Sequence, residues 1–98
     1  MDIHFEKNSV TFVWDPRKAA GNAGKHDGIT FEQATAAFFD PFFKLVDAGR
    51  NHEVRDAVIG YDEHGRLLFV VHIEVEDEFI RIISARKATV KEREDYDF

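Results

Sequence analysis

The chain has no cysteine, only two prolines and a single tryptophan in 98 residues. Without cysteine there is no disulfide framework and no thiolate metal site, a usage consistent with a reducing cytoplasm. No apolar run approaches the roughly 20 residues of a membrane-spanning helix. The opening stretch MDIHFEKNSV has neither the basic n-region nor the apolar h-region of a secretory signal, so none is expected. Positive charge is also in short supply: 13 Lys and Arg stand against 19 Asp and Glu, a formal net charge of -6. That balance argues against strong non-specific adhesion to nucleic acid over the whole surface.

Apolar residues make up 44% of the chain and ten are Phe, which suits one folded domain over residues 1–98 with a single core. The distribution of charge says more than its sum. Arg81, Arg86, Lys87 and Lys91 follow one another with no acid between them, and a second basic stretch holds Arg17, Lys18 and Lys25 beside His26. The acids gather in YDEH, EVEDE and EREDYDF. A locally basic site on an acidic protein is therefore consistent with the sequence.

VTFVW reads as a β-strand, with IHF pairing to it across a turn at residues 7–9. WDPRKAAGNAGKHDG predicts a helix: Asp15 as N-cap, Pro16 at the first helical position, Gly28 past the end. Lys18, Asn22, Lys25 and His26 fall along one of its faces. TFEQATAAFF predicts a second helix, with Thr30 and Gln33 at capping-box spacing and Asp40-Pro41 as its stop. EVRDAVIGY, RLLFVVHIEVE and FIRIISAR read as strands joined by short turns, with FFKLV as a further candidate. Thr89 and Glu92 repeat the capping-box spacing and open a terminal helix. The expected fold is α+β: an antiparallel sheet of about four strands, with two N-terminal helices and a short C-terminal helix packed on one face.

FIRIISARKATVKEREDY, residues 79–96, raises the chemical question. Arg81 stands among isoleucines, where an unpaired buried guanidinium is costly, so it needs an acid partner or an open cleft. Glu74 or Glu76 on the neighbouring strand would serve as the partner, and a phosphate as the cleft's occupant. Strict alternation puts Arg81 and Arg86 on opposite faces unless a bulge intervenes. Arg86 has the same two readings, with Glu94 as the ion-pair candidate. His26 fits a general acid or base, but a helix C-terminus favours histidine in any protein. Lys18 is either a phosphate-facing cation or an ordinary solvated lysine. Glu94 and Tyr96 either support the arginines or belong to a charged surface helix, and Trp14 reads as core. The other histidines, His4, His52, His64 and His72, make no ligand set, so no metal is expected.

WDPRKAAGNAGKH, FEQATAAFFD, RLLFVV and above all IRIISARKATVKEREDY resemble the BrnT family of bacterial toxins. The resemblance runs in unbroken order over residues 12–96. It implies a toxin of a type II toxin–antitoxin module with a fold similar to the RelE ribonucleases, inhibiting translation by metal-independent RNA cleavage without a cofactor. It also implies a cognate antitoxin of BrnA type with a ribbon-helix-helix part, through which alone operator DNA is reached. Lys18, His26, Arg81 and Arg86 become the catalytic candidates, with Asn22, Lys25, Ser84, Lys87, Glu94 and Tyr96 as RNA-binding or supporting residues. Three departures accompany it: Asp27 intervenes in KHDG, the chain begins about a strand's length early, and His72 replaces a more usual Tyr or neutral residue. The alternative is a member that keeps the fold and binds an antitoxin-like partner without cutting RNA.

Overall fold

Local signals place most elements. The structure, a computed structural model, describes residues 1–98. Strands β1 (Ile3–Lys7) and β2 (Val10–Trp14) form a hairpin closed by Asn8 and Ser9, whose φ angles of 50° and 66° suit a two-residue primed turn. Helix α1 (Pro16–Lys25) begins where the Asp15 carboxylate accepts the Arg17 backbone N–H at 2.8 Å. Helix α2 (Phe31–Thr35) opens on the reciprocal Thr30–Gln33 capping box. Instead of running on as one helix, it tightens at Ala36–Phe39 into a 3₁₀ turn. There the Ala37 carbonyl lies so close to the sheet that a Cβ on Gly60 would come within 2.5 Å of it.

Strands β3 (Lys44–Asp47), β4 (Asp56–Tyr61), β5 (Leu67–Val75) and β6 (Phe79–Lys87) follow, and helix α3 (Val90–Asp97) opens on the Thr89–Glu92 capping box. The sheet has six strands in the order β1-β2-β6-β5-β4-β3, not about four. It is mixed rather than antiparallel, because β2 runs parallel to β6 through Phe12↔Ile80 and Val13↔Arg81. Phe12, Val13 and Trp14 are all buried, so β2 needs cover on both faces and sits inside the sheet, leaving β1 as the edge.

The helices also divide between the two faces instead of sharing one. Phe12, Trp14, Val58, Leu68, Val70, Ile82 and Ala85 form the larger core with Phe31, Ala34 and Ala37, and Ala19 of α1 packs against it. Ala57, Ile59, Leu67 and Phe69 form a smaller cluster on the opposite face, against which Ala88 and Tyr96 pack. Tyr96 fixes α3 there: its hydroxyl donates to Asp40 at 2.7 Å, and the same carboxylate accepts the Phe42 and Tyr61 backbone N–H groups.

Strand β6 determines the shape of the site. Its pairing with β2 ends at Arg81, so beyond that point its edge has no neighbouring strand. Asn22 takes the vacant place. Its Nδ2 donates to the Ala85 carbonyl at 2.8 Å and to the Ile29 carbonyl at 3.1 Å, while its Oδ1 accepts the Ala85 N–H at 2.9 Å. On the β5 side the register shifts: Val71 faces Ser84 and His72 faces Ile82, leaving Ile83 as the extra residue of a β-bulge. The shift lets Ile82 and Ala85, three apart, both face the larger core.

Asn22→Ala strands two buried backbone groups of Ala85 and one carbonyl, and should lower stability by about 2–4 kcal/mol in chemical denaturation. A loss under about 1 kcal/mol would show that water replaces the side chain at this edge.

Candidate active site

Docking α1 on the β6 edge sets its polar side over the bulge. Arg17, Lys18, Lys25 and His26 line a cleft of about 360 Å³ with Ile83 and Ser84, and Asn22 forms part of its wall. His26 caps the helix, its backbone N–H donating to the Asn22 carbonyl at 2.9 Å. Arg17, Lys18 and Lys25 enter no ion pair, so their charge is uncompensated by any carboxylate within bonding distance. Of the catalytic and supporting candidates, Lys18, Lys25, His26 and Ser84 thus meet in one cleft. Asn22 is buried, and its amide is committed to the strand edge.

Ser84 also lines a second cavity, of about 460 Å³, together with Arg50, Arg55, Phe69, Arg86 and Glu92. Arg86 therefore lies across Ser84 from the α1 cleft. Its two terminal nitrogens donate to the two Glu92 oxygens at 2.7 and 2.9 Å, and its guanidinium lies 4.4 Å from the centre of the Phe69 ring. The partner is Glu92 and not Glu94, because Glu92 occupies the third helical position, where its carboxylate also accepts the Thr89 N–H at 2.9 Å. Burial alone would raise the Glu92 carboxyl, but the Arg86 and Thr89 hydrogen bonds outweigh it and hold the pKa below the usual value. The same pairing raises the Arg86 pKa. Glu94 is exposed and forms no ion pair.

The bulge puts Arg81 and Arg86 on the same face, opposite Ile73 and Phe69 of β5. Arg81 nevertheless lines neither cleft. Its Nη2 donates to Asp2 at 2.6 Å, a bond that lowers the Asp2 pKa and raises that of Arg81. Glu74 and Glu76, the acids expected from the sequence, do not reach it. Arg81 is in register with Ile73, which leaves Glu74 pointing to the opposite face, and Glu76 lies in the turn beyond the strand. Lys87 is exposed, 3.9 Å from the carboxylate of Asp27, so the intervening acid of KHDG faces a lysine. Tyr96 reaches no arginine of the site. Burial and its bond to Asp40 push its phenol up to about 12.

Trp14 lies in the core with Phe31 and Phe5 packed on it. His72 is buried with its ring against Phe38, and burial lowers its pKa. No three His, Cys, Asp or Glu side chains converge as a metal site would require. A third cleft, of about 310 Å³, includes Glu74, Asp77 and Glu78, whose charge opposes an anionic ligand. Arg50 and Arg55, absent from the candidates that the sequence offers, border the 460 Å³ cavity. Their signal was two arginines flanking the turn of one hairpin, GRNHEVR.

Fold and site together define a small α+β protein with a six-stranded mixed sheet and a cation-lined cleft at one strand edge. Residues 14–92 match the family described as ribonuclease toxin, BrnT, of type II toxin-antitoxin system, and the chain belongs to this family. A toxin of such a module implies an antitoxin partner. The crystal structure of the Brucella abortus ribonuclease toxin, BrnT, is similar with a TM-score of 0.61, covering 78% of this chain and 92% of that one at 24% identity. At that identity the likeness establishes the fold alone. No curated protein matches the chain in sequence. Strand β1 precedes the residues that match the family. No helix is long and apolar enough to cross a membrane.

The depressed pKa of Glu92 fixes the sign of a pH effect. Its stabilising contribution is complete above the ordinary carboxylate range and is lost as pH falls through the lowered folded-state value. Glu92→Gln should therefore be less stable than the wild type at neutral pH by about 1–3 kcal/mol, with the gap closing below about pH 4. Denaturation curves across that range would reveal a gap that instead persists in acid.

Proposed function

We propose that the protein is a metal-independent endoribonuclease that inhibits translation and is neutralised by a cognate antitoxin. The observation that carries this reading is a cleft lined by three cations without ion pairs, Arg17, Lys18 and Lys25, with His26 and Ser84 beside them, on a protein of net charge -6. Ser84 also lines the neighbouring cavity that holds Arg86. RNA cleavage without a metal requires a base for the 2′-hydroxyl, cations for the charge that builds on phosphorus, and an acid for the leaving 5′-oxygen. In this reading the phosphate enters the α1 cleft, where Arg17, Lys18 and Lys25 stabilise the developing charge. His26 exchanges a proton with one of the two ribose oxygens, and the Ser84 hydroxyl donates to a phosphate oxygen. Arg86, whose fork is held by Glu92, borders the far side and reaches phosphate by exchanging that carboxylate for it. Arg81, paired with Asp2 away from both clefts, takes no part in this step.

The RelE-like architecture belongs to the same proposal, as do a cytoplasmic setting and an antitoxin of BrnA type with a ribbon-helix-helix part. Operator DNA would be reached only through that antitoxin.

A second reading has its own observation. Both strand arginines are already held by carboxylates, Arg81 by Asp2 and Arg86 by Glu92. That arrangement also suits a member that binds an antitoxin without cutting RNA.

Single-turnover cleavage of an RNA oligonucleotide separates the two. His26→Ala and Lys18→Ala should each slow cleavage by roughly 10²- to 10⁴-fold; Lys18 is exposed, His26 half-buried, and neither enters an ion pair whose loss would unfold the protein. Unchanged cleavage in the folded double variant would remove these residues from the chemistry. A folded wild-type protein that cuts no RNA, yet binds its antitoxin, would establish the second reading.

A further inference from the structure

We propose that Arg50, Arg55 and Arg86 form a second phosphate subsite, which holds the RNA backbone across Ser84 from the cleft of Lys18 and His26. Naming the ligand as RNA rests on the ribonuclease reading; the anion site itself rests on the geometry of the β3–β4 hairpin.

That hairpin is held in one shape. The Arg50 carbonyl accepts the Glu53 N–H at 2.9 Å, and Asn51 and His52 between them have φ angles of 51° and 69°, a primed turn. Gly49 permits the close approach, since a Cβ there would come within 2.5 Å of the Glu53 carbonyl oxygen. Asp47 accepts the Gly49 N–H at 2.8 Å, and the Ala48 N–H donates to the Arg55 carbonyl at 2.9 Å. The turn thereby fixes both hairpin arginines on the wall of the 460 Å³ cavity that Arg86 also lines.

The cations in that cavity outnumber its acids, although Arg50 and Arg55 also border a neighbouring hollow with Asp47, Glu53 and Asp56. Glu92 is its one acidic lining residue, and it is committed to Arg86. Arg50 forms no ion pair. Arg55 donates through Nη2 to Glu53 at 2.6 Å, but its Nε is buried without any acceptor, the sole such side-chain atom in the molecule. The buried Nε leaves the Arg55 fork under-satisfied, and the exposed Arg50 guanidinium, which has no ion pair, is open to an oxyanion entering the cavity.

RNA fits better than an acidic peptide for two reasons. Ser84 lines this cavity and the α1 cleft alike, so one backbone can follow both. Half-buried Val71 forms an apolar part of the wall on which a base can rest.

The test uses an RNA oligonucleotide carrying 2′-O-methyl groups throughout, which cannot be cleaved, with binding followed by fluorescence anisotropy at several salt concentrations. Arg50→Ala and Arg55→Gln should each weaken binding several-fold and lower the slope of log affinity against log salt by about 0.7. Arg50 is an exposed loop residue, so its variant keeps the test independent of folding. Wild-type affinity and salt slope in both variants would overturn the inference, as would failure of the wild type to bind. Loss of oligoglutamate binding with the RNA mimic still held would also overturn it, moving the cavity to an acidic protein partner. A wild type that binds the mimic through these arginines but never cuts natural RNA would uphold the subsite while removing the ribonuclease reading. Normal cleavage with arginine-independent binding would do the reverse.

Discussion

Where β2 leaves β6, the side-chain amide of Asn22 stands in for a strand. Its oxygen and nitrogen meet the N–H and carbonyl of Ala85 much as the backbone of a neighbouring strand would. Ala85 is fully buried, so without this partner two backbone groups would be left unsatisfied in the core. Asn22 lies on α1 between Lys18 and His26. The hydrogen bonds that close the sheet edge therefore also determine which side chains overhang Ile83 and Ser84.

The bulge at Ile83 is the second constraint, and it acts on the same strand. By adding one residue it reverses the alternation, so that Ile82 and Ala85 both reach the core while Arg81 and Arg86 share the opposite face. Ser84, next to the extra residue, is left accessible to clefts on both sides. Charge follows this geometry. Uncompensated cations gather around the second half of β6, whereas Glu74, Asp77 and Glu78 lie by its first half. An acidic protein can thereby keep a basic site, with repulsion elsewhere limiting non-specific contact with polyanions.

Much of this was legible in the residues because it is local. Asp15, Thr30 and Thr89 announce their helices through bonds that span two or three positions. All six strand segments were legible, but their union in one sheet, the parallel β2–β6 pairing and the placement of α3 on its own face were not, since they depend on which distant segments share a core. The Asn22–Ala85 contact joins residues 63 apart, and Asp2–Arg81 joins residues 79 apart. Glu92 differs: its position in the capping box already separated it from Glu94 as the acid nearest the strand end. Arg50 and Arg55 were overlooked for another reason. Arg50 looks like a solvated loop residue and Arg55 like part of a strand until the turn closes and brings both beside β6.

In the proposed reaction this strand edge performs metal-independent cleavage through the 2′-hydroxyl, and the ends of the RNA products test it most directly. Mass analysis of fragments made in excess chelator should find 2′,3′-cyclic phosphate on one fragment and a 5′-hydroxyl on the other, at an undiminished rate. Fragments with 3′-hydroxyl and 5′-phosphate ends, or activity abolished by the chelator, would contradict it.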